Sequence, residues 1–230
     1  NRKAGQRIEI SVHDPATGTR FEQVIKPISL GEQRELLYKR WVRGERDEVD
    51  KLSGGKLGYV HVRGMDDESY RDVFAQILGR YSGAQALIVD TRFNGGGNLH
   101  DELATLLSGH RYLEFLPRGQ SLGWEPTGKW TQPSLVLISE SNYSDAHLFP
   151  WTYRHLGLGK LLGMPVAGTG TAVWWERLQD RTLYFGIPEV GFRDAKGEFM
   201  ENALIEPDIK VANDPARLGA GQDQQLEAAV

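Results

Sequence analysis

A chain of 230 residues, 40% hydrophobic and 25% charged, has room for one large core, or for one core and a fragment of another. Its net charge of −4 and scattered Lys and Arg residues offer no basic surface for nucleic acid or an anionic membrane, and no apolar run approaches the roughly 20 residues that span a bilayer. The absence of cysteine excludes disulfides, thiolate nucleophiles and Cys-ligated zinc. A cysteine-free chain suits a reducing cytoplasm and a periplasm about equally. Because Asn1 opens a polar stretch without a signal-peptide core, the expected compartment is the cytoplasm, or the periplasm if a signal peptide lies upstream.

In chain order, RIEISV and FEQVIKPI flank the turn sequence DPATGT, which predicts a β-hairpin within residues 7–28. Two strands cannot bury a core, so this hairpin reads as the end of a domain whose beginning lies elsewhere. Residues 32–52 place Leu36, Leu37, Trp41 and Val42 among many charges, the pattern of an amphipathic helix with a solvated face. From Lys56 onward strands and helices alternate: KLGYVHVRGM, SYRDVFAQILGRY, ALIVDTRF, LHDELATLLSG, SLVLISE and AHLFPWTYRHLG, with KLLGMPVAG as a strand or loop. Such alternation predicts an α/β fold with a mainly parallel sheet and flanking helices. Ligand-binding loops then gather at the carboxyl ends of the strands.

Two loops fall at such ends, FNGGGN at 93–98 and SESNYSD at 139–145. Gly95, Gly96 and Gly97 leave backbone N–H groups unobstructed for a phosphate or an oxyanion, or they make a tight strand-to-helix turn. No Lys-Ser/Thr pair follows them, as a phosphate-binding P-loop requires. Ser144 stands where a nucleophile elbow would put a hydroxyl, with the next amide aimed the same way; it also stands where a helix N-cap serine would. The residues alone leave both readings open.

Four separated motifs, GKLGYVHVRGM, ALIVDTRFNGGGN, NYSDAHLFPWTYRHLGLGKLLG and MENALIEPDIKV, resemble the catalytic core of tricorn-like members of the C-terminal-processing serine proteases, peptidase family S41, in order and spacing. The resemblance covers residues 56 to about 228. It implies a crotonase/Clp-like core of ββα units at 56–230, a helical linker at 31–55, and at 1–30 the closing strands of a PDZ-like domain. It also implies a serine endopeptidase acting on oligopeptides or unfolded proteins, without cofactor or metal, assembled as a homo-oligomer. By position, Ser144 is the nucleophile, the amides of Gly97 and Asp145 form the oxyanion hole, Gly95 and Gly96 line the substrate path, and Glu201 helps orient the catalytic groups. The alternatives weighed against it are a non-catalytic peptide-binding or assembly module on the same fold, and a crotonase-like acyl-thioester enzyme.

The departures concern the base and the specificity pocket. Many relatives in the wider group use a lysine in the loop VAGTGTAV, where this chain has Thr169, which argues against a Ser-Lys dyad. Tricorn-like members use a histidine from a segment before the PDZ-like domain, so the base is expected outside this chain, and the chain alone is expected to be inactive. Of the histidines present, His61 reads as a core or sheet-edge residue, His147 and His155 as helix-face residues, and His13 and His110 as surface. His100 could approach the glycine loop but matches no family position. Where the family has an aspartate favouring basic P1 side chains, this chain has Phe115, with Glu114 beside it. An aromatic wall there implies a shift toward apolar P1 residues.

Overall fold

The computed structural model describes residues 3–230, and the chain divides into two compact units between Glu45 and Arg46. In the first unit, β1 (Ile8–His13) and β2 (Arg20–Ile25) pair antiparallel with Ile8 opposite Ile25. The turn DPATGT folds around Asp14, whose carboxylate accepts from the Ala16 N–H and the Thr17 hydroxyl, each at 2.9 Å. The hairpin expected from the sequence is therefore present, and β2 is exposed along its whole length. Helix α1 (Leu30–Ser53) begins with a capping box: the Ser29 hydroxyl accepts from the Glu32 N–H at 3.2 Å, and the Glu32 carboxylate accepts from the Ser29 N–H at 2.7 Å.

The second unit contains β3 (Leu57–His61), α2 (Asp67–Ala75), β4 (Ala86–Asp90), α3 (His100–Leu107), β5 (Leu113–Glu114), β6 (Trp124–Glu125), β7 (Ser134–Ile138) and α4 (Asp145–His155). There follow β8 (Gly159–Gly163), β9 (Thr171–Arg177), β10 (Tyr184–Gly191), β11 (Ile209–Lys210), α5 (Pro215–Gly219) and α6 (Gln224–Ala229). Five strands form a parallel sheet in the order β11-β8-β7-β4-β3. Their central residues, Val60, Val89, Val136 and Leu161, are fully buried with Leu103 and Leu106 of α3 and Phe149 and Tyr153 of α4. That burial explains why the strands read as continuous apolar runs. No helix among the described residues is long and apolar enough to cross a membrane.

Two features depart from the expected element pattern. The helix expected through Tyr81 is α-helical only to Ala75 and then widens, so that the Tyr81 N–H donates to the Gln76 carbonyl five residues back at 2.9 Å. The sequence reading also assigned nothing to the two long strands β9 and β10, which pair antiparallel. Trp174, Trp175, Tyr184, Phe185 and Ile187 are all exposed on this pair. Without one buried face, no alternation of polar and apolar residues marks it.

The carboxyl end of β4 is clamped to the C-terminal segment. Asp90 accepts from the Tyr59 hydroxyl at 2.8 Å and from the Arg92 guanidinium at 2.7 and 3.0 Å. Arg92 also reaches Asp223 at 2.6 Å and Gln225 at 3.1 Å. Arg92 and Asp90 are buried, so each charge depends on the others. Arg92→Met is expected to lower stability by about 3–5 kcal/mol, because it leaves the Asp90 carboxylate buried and unpaired. Burial alone would push the Asp223 carboxyl up, but the Arg92 charge and the Leu226 amide hold it below the ordinary value of 3.8. A folded value below the unfolded one means stability that is complete above pH 3.8 and lost as pH falls through the lowered value. Chemical denaturation between pH 2 and pH 7 should show this acid limb, and Asp223→Asn should flatten it.

Candidate active site

Four loops meet at the carboxyl edge of the sheet, because β3, β4, β7 and β8 lie side by side in chain order. The loop after β4 is fastened on both sides. The Asn94 side chain donates to the Val62 carbonyl at 2.8 Å and accepts from the Gly96 N–H at 2.8 Å, and the Asn94 main-chain carbonyl accepts from the Tyr143 N–H at 3.1 Å. The Met65 N–H donates to the Gly96 carbonyl at 3.1 Å, and the Asn98 N–H donates to the Met65 carbonyl at 2.7 Å. In the loop after β7, Asn142 accepts from the Ser139 N–H and hydroxyl and donates to the Thr91 hydroxyl at 2.9 Å and the Ala146 carbonyl at 3.2 Å. Asn94 and Asn142 are buried. The sequence reading passed over both; an asparagine four residues beyond the end of a buried apolar strand in each loop was the available signal.

Ser144 stands at the head of α4 with φ 55° and ψ −121°, and its side chain makes no capping hydrogen bond. The N-cap reading fails on that geometry, since a capping serine has extended backbone and spends its hydroxyl on the first-turn amides. The strained turn is that of an elbow: a backbone conformation unfavourable for a side-chain-bearing residue presents a hydroxyl bonded to no other described residue. The Ser144 N–H is held instead by the Thr169 hydroxyl at 2.9 Å.

Gly96 lies directly against this elbow. A Cβ built on it would come within 2.6 Å of the Ser144 Cβ, 2.7 Å of the Tyr143 carbonyl oxygen and 3.1 Å of the Asp145 nitrogen. A Cβ on Gly97 would collide with the Met65 carbonyl, and both glycines have positive φ, 90° and 146°. The N–H groups of Gly97 and Asp145 donate to no other group among the described residues. Backbone N–H groups left open in the two loops that meet at Ser144 can donate to negative charge that develops there. Gly95 meets nothing within 4 Å and is exposed.

The remaining candidates divide between near and far. Glu201 is exposed on a turn whose Asn202 N–H donates to the Gly168 carbonyl at 2.9 Å, in the loop that carries Thr169. The same turn is tied to α4, because His147 Nε2 bonds the Ala203 carbonyl at 2.8 Å. His147 is therefore on the buried face of the helix; burial pushes its imidazole down despite the Ala203 bond, and its Nδ1 has no partner among the described residues. His61 is buried with Nε2 against the Arg92 carbonyl at 3.0 Å. His155 stacks on Trp151, and His13 and His110 are exposed. No described histidine or lysine bonds the Ser144 hydroxyl. Glu114 and Phe115 lie at the short β5–β6 pair, with the Phe115 N–H bonded to the Gly123 carbonyl at 3.0 Å and the ring exposed. No hydrogen bond joins them to the Ser144 loops. No cluster of metal-binding side chains occurs among the described residues.

The sequence profile described as Peptidase family S41 matches residues 56–211, the whole run from β3 to β11 that builds this edge. The chain belongs to peptidase family S41. Within that family it is 31% identical over 204 residues to the tricorn protease of Thermoplasma acidophilum, which covers 87% of this chain and 19% of that protein. It is 28% identical over 228 residues to tricorn protease homolog 1 of Streptomyces coelicolor, covering 99% of the chain and 21% of the homologue. A crystal structure of the tricorn protease superposes with a TM-score of 0.83 at 28% identity over 99% of the chain and 22% of that structure. This S41 chain thus spans about a fifth of the length of those relatives. The resemblance read from the four motifs and the mainly parallel α/β core are both borne out.

Proposed function

We propose that the protein is a serine peptidase that hydrolyses peptide bonds of oligopeptides or unfolded proteins through Ser144. The observation that carries this reading is the elbow itself, a strained serine with a free hydroxyl beside two unpaired amides. The Ser144 oxygen attacks the scissile carbonyl carbon while its proton passes to a general base. The carbonyl oxygen, now negative, accepts from Gly97 and Asp145; the base returns the proton to the leaving nitrogen as collapse expels the amine, and water deprotonated by the same base then releases the acyl group. The base is a histidine from a segment outside the described residues, as the family resemblance implies, and Glu201 orients it. In the same reading, the β1–β2 hairpin closes a PDZ-like domain, residues 31–55 link it to the catalytic core, and the full-length protein is a homo-oligomer.

A fluorophosphonate probe tests the assignment directly. Covalent labelling of the full-length protein that disappears in Ser144→Ala supports a catalytic serine, whereas an inert Ser144 in a folded protein favours the non-catalytic peptide-binding module. The pocket assignment has its own test. With Phe115 lining it, an apolar P1 residue gains about 1.5–3 kcal/mol of burial, and a lysine there lacks a counter-charge. Fluorogenic peptides differing only at P1 are expected to favour Leu or Phe over Lys and Arg. A dominant basic preference that vanishes in Glu114→Gln would instead place the carboxylate in the pocket.

A further inference from the structure

Asp145 has two faces. Its N–H is one of the two open amides beside Ser144, while its buried carboxylate accepts three bonds: from the Leu99 N–H at 2.5 Å, the His100 N–H at 2.9 Å and His100 Nδ1 at 2.5 Å. Leu99 and His100 stand two and three residues after Gly97, at the start of α3. A single carboxylate therefore ties the residue after the nucleophile to the segment just past Gly97. The imidazole itself is partly exposed, at 23%, and its ring meets Phe192 edge-on at 6.3 Å.

Resting on the serine-peptidase reading, we propose that His100 is a positioning residue: its imidazole, together with two α3 amides, clamps the Asp145 carboxylate and so fixes the Asp145 N–H relative to Ser144 and Gly97. Backbone amides alone leave a buried carboxylate with no positive partner, and the His100 ring, when protonated, supplies that charge through its bond to Asp145. Small displacements of such donors matter, because a misplacement of about 1 Å can reduce turnover by roughly a hundredfold.

The bond to Asp145 raises the His100 imidazole above its ordinary 6.5, against the effect of its partial burial; Asp145, Asp101 and Glu102 are the charges that act on it, all in the same direction. With a folded value above the free one, the ionic part of the clamp is complete below pH 6.5 and is lost as pH rises through the raised value. Turnover should then fall on the alkaline side for a reason separate from the general base.

The test is peptide hydrolysis by the full-length wild type, His100→Ala and His100→Gln across pH 6 to 10, with kcat and KM separated. His100→Ala is expected to lose about ten- to a hundredfold in kcat with KM little changed. His100→Gln, which keeps a neutral donor, should recover part of the loss and lack the alkaline limb. Thermal unfolding over the same pH range should show the matching alkaline loss of stability in the wild type and its absence in His100→Gln, which keeps the proposal testable if His100→Ala fails to fold. Unchanged kcat and an unchanged alkaline limb in His100→Gln would overturn it. Turnover retained by Ser144→Ala would overturn the underlying reading of catalysis through Ser144, and that result is distinguishable because His100 is intact there.

Discussion

Ser144→Ala is expected to abolish peptide hydrolysis, lowering kcat by roughly a thousandfold or more, as removal of a nucleophile does. The same substitution should leave stability nearly unchanged. A serine that caps a helix costs about 1 kcal/mol when it becomes alanine, but the Ser144 hydroxyl makes no capping bond. Ser144→Gly separates the two roles further. The backbone stands at φ 55° and ψ −121°, so glycine should relieve strain of about 1–2 kcal/mol and raise the melting temperature while destroying activity. Parallel measurement of turnover and thermal unfolding decides the matter: a drop in stability of about 1 kcal/mol with turnover preserved would return Ser144 to the role of a cap.

Gly96→Ala should be nearly as severe through a different route. At φ 90° an L side chain is strained, and the new methyl would press on the Ser144 Cβ and the Tyr143 carbonyl. Relief must come from moving either the glycine loop or the elbow, and both carry groups that the proposed reaction requires to within an ångström. A loss of about a hundredfold or more in kcat, with about 1–3 kcal/mol of stability, is expected. Gly95→Ala is the internal control for stability, since nothing lies within 4 Å of the added methyl. If Gly95→Ala and Gly96→Ala unfold at the same temperature, the packing described here is not what makes Gly96 a glycine.

Much of this arrangement was legible from local patterns. Apolar runs such as ALIVD and SLVLI mark buried parallel strands because both faces of the sheet are covered. The glycine triplet and SNYSD mark the carboxyl ends of two of them, and those strands prove to be neighbours. The exposed β9–β10 pair escaped because it has no inside and outside to set a period. The partners of His100 and His147 escaped for another reason: sequence neighbours say nothing of Asp145 at a separation of 45 residues or of the Ala203 carbonyl at 56.

Residue types at local spacing were enough for the family and for placing the glycine loop and the Ser144 loop at the ends of apolar strands. Whether that serine caps a helix or heads an elbow was decided only by the tertiary structure, because both roles share the same position before α4 and differ in backbone angles imposed by contacts with Gly96 and Thr169. The attachment of Asp145 to α3 belongs there too: a carboxylate's partners are chosen by which helix the sheet brings beside it, and that choice is made by strand order, far from Asp145 along the chain.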